Sequence, residues 1–176
     1  MRKLSLKELN RVNIDQFKQQ EKTPVVLVLD NVRSALNVGS AFRTADAFAL
    51  EKVYLCGITA QPPHREILKT AIGATDSMDW SYAKQTVDVV AALKAEGYVI
   101  LAVEQAEESV MLPEFTIVSD TKYALVFGNE VNGVGEEVME MVDYCLEVPQ
   151  FGTKHSLNIS VCIGVVVWDL FKQLKY

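Results

Sequence analysis

The chain has 176 residues, 49% apolar and 23% charged, enough for one domain with a substantial core and too few for two full catalytic domains. Its formal net charge of −6 argues against binding nucleic acid by bulk attraction. The opening MRKLSLKELN carries no apolar stretch, and the most apolar segment, residues 159–170, is short and holds Trp168 and Asp169 near its end. Neither a secretory signal nor a membrane span is expected, and the chain reads as cytoplasmic. Cys56, Cys145 and Cys162 are odd in number, widely spaced and set among apolar residues, the pattern of reduced, buried thiols rather than of a metal site.

Residues 1–24 differ in kind from the rest. Within 1–22, six basic residues stand against three acidic ones. Ser5 and Glu8 match a capping box, so a short amphipathic helix or helix pair is predicted, ending near Pro24. From residue 25 onward, short apolar runs alternate with helical periodicity. Strands are predicted at 25–29, 53–56, 98–103, 123–127 and 145–148. Helices are predicted at 38–48, 65–72, 86–95, 135–141 and 157–174. The strands are apolar on both faces, which implies a mostly parallel sheet flanked by helices, an α/β domain over 25–176. In the last helix Ile159, Val161, Ile163, Val165, Val166 and Val167 do not share one face, so a second subunit is the expected extra cover. Residues 104–147 hold eleven acids against Lys122 alone. Contacts to an anionic partner therefore belong to the arm and the first half of the domain, unless the acids are merely solvated helix faces.

In a parallel sheet, ligands sit beyond the carboxyl ends of the strands, and three loops there are rich in polar residues and glycine. The first spans residues 30–43. Ala35, Val38, Phe42 and Ala45 follow the helical period toward the core, and Gly39 leaves no side chain beneath the Arg43 guanidinium. Backbone N–H groups at this helix start, with Arg33 and Arg43, suit a phosphate or a developing oxyanion; the plainer alternative is solvated arginines. The second loop, residues 127–135, carries Gly128, Gly133 and Gly135 but matches neither GxGxxG nor a Walker A loop. The third, residues 149–158, offers Ser156 as an N-cap and places Asn158 in the first helical turn. His155 has no orienting partner at a known spacing, so a positional role fits it better than that of a base, and His64 reads as surface. Arg65 and Lys69, at i and i+4 after Pro62 and Pro63, form a basic pair that is either solvated or open to an anionic partner. A nucleotide- or NAD-binding Rossmann enzyme stays open as a rival reading, weakened by the missing fingerprint after the first strand.

Taken together, the three loops resemble the motifs of the TrmH (SpoU-type) family of SPOUT RNA 2′-O-methyltransferases. Asn37, Gly39 and Arg43 match N-x-G-x-x-x-R. Gly128 and Glu130 match the G-x-E that follows a strand. Pro149, Gly152, Ser156, Leu157 and Asn158 match the Pro, glycine loop and S-L-N of the third motif. The resemblance covers residues 25–172 and implies a SPOUT-type α/β knot, in which the C-terminal segment threads a loop to form a trefoil knot. It further implies S-adenosyl-L-methionine as cofactor, held by Gly128, Glu130 and Leu157 with neighbouring Phe127, Val148 and Phe151. It implies a homodimer through the knot and C-terminal helix, with a tRNA or rRNA substrate. Arg43 would steady the substrate phosphate and the developing alkoxide, since an arginine is a poor literal base. Asn37, Ser156 and Asn158 would position ribose and loop, Glu130 would shape the site, and Arg33, Arg43, Arg65 and Lys69 would face RNA. A non-catalytic RNA-binding protein of the same fold is the other rival, and intact Asn37, Arg43, Glu130, Ser156 and Asn158 weigh against it.

Overall fold

The computed structural model describes residues 1–176, the side chain of Leu6 excepted. The arm is a pair of short turns: a 3-10 turn at Leu6–Leu9 and helix α1 at Ile14–Gln19. Glu8 accepts from both the backbone N–H and the hydroxyl of Ser5, at 2.8 and 2.7 Å. Asn13 and Gln16 close a second, reciprocal capping box on α1. Phe17 is the arm's anchor, buried to 6% exposure against the domain.

Seven strands form one parallel sheet in the order β3-β2-β1-β6-β4-β7-β5. They are β1 (Thr23–Asp30), β2 (Leu50–Cys56), β3 (Trp80–Ala83), β4 (Tyr98–Val103), β5 (Val110–Met111), β6 (Lys122–Phe127) and β7 (Tyr144–Glu147). Helices α2 (Ala35–Ala47), α3 (Arg65–Ala71), α4 (Ala74–Ser77), α5 (Thr86–Ala95), α6 (Glu136–Met139) and α7 (Ile159–Lys175) cover it. The two-residue period of β1 shows how the core is divided. Val25, Leu27 and Leu29 face the layer of α2, α3 and α7, while Val26 and Val28 face that of α5 and α6. Each side chain of this size, fully buried, contributes about 1.5–3 kcal/mol. The five predicted strands and five predicted helices are all present. β3 and β5 escaped prediction because β3 is a half-buried edge of four residues and β5 has only two.

Gly39 has a different role from the one its spacing implied. A Cβ there would overlap the Ile67 carbonyl and the Thr70 hydroxyl, so the glycine lets α2 lie directly on α3 rather than clearing space under Arg43. In α7, Ile163, Val166, Val167 and Leu170 are buried on the sheet side, whereas Val161, Val165 and Trp168 are 53%, 38% and 48% exposed. Phe48, Trp168 and Phe171 cluster where α7 meets the end of α2. The three cysteines are free, and burial pushes the Cys56 thiol up to about 12 and the Cys162 thiol to about 11. No helix is long and apolar enough to cross a membrane among the described residues.

Candidate active site

A cavity of about 500 Å³ opens at the carboxyl ends of β4, β6 and β7 and is closed by the segment leading into α7. It is lined by Phe127, Gly128, Glu130, Val148, Ser156, Leu157 and Asn158, which the sequence had singled out. Phe151, also expected there, is not part of the wall; it is 98% exposed on the loop outside. His155 lines the cavity, and its carbonyl accepts from the Gln105 amide at 3.0 Å.

The loop after β6 is shaped by its own backbone. Asn129 and Gly133 exchange two 2.9 Å backbone hydrogen bonds, and the Asn129 side chain accepts from the N–H groups of Val131 and Asn132. Gly128 must lack a side chain because a Cβ would collide with the Gly133 carbonyl and the Val134 nitrogen. The amide of Asn129 donates to the Asn31 carbonyl at 2.7 Å, and the Gly135 N–H donates to the buried Asp30 carboxylate at 2.8 Å. The second loop is thereby fixed to the first.

Glu130 completes the junction. Its carboxylate accepts from the backbone N–H of Arg33 at 2.8 Å, from that of Ser34 at 3.0 Å and from the Asn37 side-chain amide at 3.2 Å. Asn37 in turn accepts from the Asn158 amide at 3.3 Å. One chain of side-chain bonds, Glu130–Asn37–Asn158, therefore joins all three polar loops at the cavity rim. Burial pushes the Glu130 carboxyl up, but the N–H groups that point at it, those of Arg33 and Ser34 among them, outweigh that and hold it below its ordinary value. The helix start was expected to hold a substrate anion; the anion found on its N–H groups is the protein's own Glu130.

The third loop also differs from expectation. Asn158, not Ser156, is the N-cap of α7, accepting from the Ser160 N–H at 2.9 Å and its hydroxyl at 2.7 Å. Ser156 is an exposed wall residue. Arg43 does not line this cavity. It stands exposed on α2 in a shallow groove with Ser40, Thr44, Lys69, Thr70 and Gly164. Arg65 lies on the exposed side of α3 outside that groove, and His64 caps α3 through Nδ1 at 3.3 Å. The Arg33 side chain is exposed, and its backbone rather than its guanidinium holds Glu130. Sequence reasoning missed Glu104 and Gln105, which line the cavity from the end of β4; a polar pair, one acid and one amide, directly after a predicted strand was the available signal. Among the described residues, no cluster of His, Cys, Asp and Glu could hold a metal.

Residues 24–168 match the SpoU rRNA Methylase family. The chain is 29% identical over 161 residues to the tRNA (guanosine(18)-2'-O)-methyltransferase of Aquifex aeolicus, covering 88% of this chain and 72% of that protein. It is 26% identical to the 23S rRNA (guanosine-2'-O-)-methyltransferase RlmB of Vibrio parahaemolyticus, covering 95% of this chain and 66% of that one. An AdoMet-bound rRNA methyltransferase from Sinorhizobium meliloti superposes with a TM-score of 0.81 at 26% identity, over 93% of this chain and 60% of that one. The chain thus spans roughly two thirds of the length of the relatives it matches. It belongs to the SpoU rRNA Methylase family.

Proposed function

We propose that this chain moves a methyl group from S-adenosyl-L-methionine to a ribose 2′-hydroxyl of structured RNA, tRNA or rRNA, as a homodimer. The observation that carries the reading is the Glu130–Asn37–Asn158 connection at the rim of the strand-end cavity. It supports one site built from the three family motifs. The cavity fits the cofactor in size, since pockets for such ligands run from about 300 to 1,000 Å³. It fits in chemistry as well: Gly128, without a side chain, lets backbone reach the wall, and Phe127, Val148 and Leu157 line it as apolar residues. When bound, the cofactor supplies an electrophilic methyl on a sulfonium. Gly128, Glu130 and Leu157, with Phe127 and Val148, would hold it, and the ribose hydroxyl proton would pass to water or the adjacent phosphate.

What the chain's own residues contribute is alignment and charge. Asn37 and Asn158, tied to Glu130, hold the rim rigid so that a ribose is presented in one orientation. The Arg43 guanidinium steadies the neighbouring phosphate and the developing alkoxide. Because Arg43 lies outside the cavity of its own chain, the reading calls for two copies, with Arg43 of one facing the cavity of the other. The exposed Val161, Val165 and Trp168 of α7 supply an apolar surface for that contact. The same reading gives the segment between β7 and α7 the threaded, knotted path implied by the motifs. Arg33 and Lys69, with Arg65 on the flank and the basic arm, would meet the RNA backbone. The test is transfer of labelled methyl from the cofactor into total RNA, followed by mapping of the modified nucleotide. Arg43→Ala is expected to lower transfer at least ~10²-fold while cofactor affinity stays within about twofold. Turnover equal to the parent would remove Arg43 from this role, and label on a base would overturn the ribose assignment.

A further inference from the structure

The cofactor cavity has a lopsided charge. Of its lining side chains, Glu104 and Glu130 are acidic, and none is a lysine or arginine. The Glu130 carboxylate is occupied by the Arg33, Ser34 and Asn37 donors on the side of the first loop. Glu104 is placed differently, at the end of β4 and against the glycine turn of the β6 loop. Its carboxylate accepts from its neighbour's N–H, that of Gln105, at 2.9 Å and from the Val134 N–H at 3.3 Å. Gly133 sits at φ +69°, and a Cβ there would fall on the Glu104 carboxylate. A glycine in the left-handed region thus opens the space this acid fills. Two backbone N–H groups fix the carboxylate but leave further lone pairs, since an ionised carboxylate has about four acceptor positions.

We infer that Glu104 is a specificity-determining residue of the cofactor cavity, selecting the positively charged sulfonium donor over its uncharged thioether product. This inference rests on the methyl-transfer reading above. At neutral pH the donor carries a sulfonium, an ammonium and a carboxylate, a net charge of +1. Loss of the methyl leaves a neutral thioether beside the same amino-acid group, a net charge of zero. Shape changes by one methyl, which an apolar wall discriminates weakly. Charge changes by a full unit, and a fixed carboxylate in a partly enclosed cavity reads that difference directly. Spent product is thereby released while fresh donor is retained, with no moving part.

The test is titration calorimetry on the full chain and on Glu104→Gln with three ligands: S-adenosyl-L-methionine, its demethylated thioether, and an analogue with a protonated amine in place of the sulfonium. Glu104→Gln is expected to weaken both cationic ligands by about five- to tenfold, the size of one unit-charge interaction across a half-solvated cavity. The thioether should stay within about twofold. The preference of the parent for the cationic ligands should shrink at high salt, and that of the variant should not. Equal loss of all three ligands would mean that Glu104 only supports the loop, and would overturn the inference. So would an unchanged ratio. Glu104→Asp, which keeps the charge, is expected to keep the preference even where absolute affinity falls. If the parent chain binds none of the three, the methyl-transfer reading itself fails, and that outcome is distinct from loss of selectivity.

Discussion

Replacing Glu130 with glutamine would test whether the three polar loops are held by one carboxylate. The side chain takes two backbone N–H groups at the start of α2 and the Asn37 amide. Glutamine keeps one oxygen as acceptor and turns an NH2 group toward a donor; with the oxygen kept toward Ser34 and Asn37, the charge-assisted bond from Arg33 is lost and the other two become neutral. Such bonds contribute about 1.5–3 kcal/mol each in protected settings. Glu130 is largely solvent-facing, so the combined loss should be nearer ~2 kcal/mol after screening. For a chain of this size that lowers Tm by about 4–8 °C. The pH dependence has a fixed sign. The native state holds this carboxyl below its ordinary value, so its stabilisation is complete above the unfolded pKa of about 4.3 and is lost as pH falls through the lower, native one. Urea unfolding of parent and Glu130→Gln should differ fully at pH 7 and converge toward pH 3. A gap that stays constant over that range, or no gap at neutral pH, would refute the claim that a charged carboxylate staples the loops.

Two further outcomes follow from the packing. Gly39→Ala forces a Cβ against the Ile67 carbonyl and the Thr70 hydroxyl, and overpacking of this kind costs about 1–3 kcal/mol. Thermal unfolding should show the loss, whereas a variant as stable as the parent would mean that α2 and α3 separate easily. Val165→Asp puts a charge on the outer face of α7, at a position 38% exposed in the single chain. If the proposed dimer forms, the parent should have the mass of a dimer by light scattering at micromolar concentration and this variant, its fold intact, that of a monomer. A variant with the parent's dimer mass would move the contact elsewhere, and a monomeric parent would overturn the dimer.

How much could be read from the sequence depended on whether a feature was periodic or convergent. The central strands were legible because burial on both faces makes them continuous apolar runs, as in the Val25–Leu29 stretch of β1. β3 was not, because a short edge strand with half-exposed residues carries no such run. The motif residues Asn37, Gly128, Glu130, Leu157 and Asn158 were also legible, but only as types at spacings. Their partners were not: Glu130 bonds to residues 93 to 97 positions away, a relation that no local pattern encodes. Gly39 shows the same limit in reverse. Its place in the motif was plain, yet the reason for it lies on α3, which the chain reaches some thirty residues later. Arg43 extends the point. It sits exposed on α2 outside the cavity of its own chain, so its spacing from Asn37 records a helix surface and nothing of what that surface meets. The same motif thus carries two kinds of residue, Asn37 bonded into the rim and Arg43 on an exposed helix face.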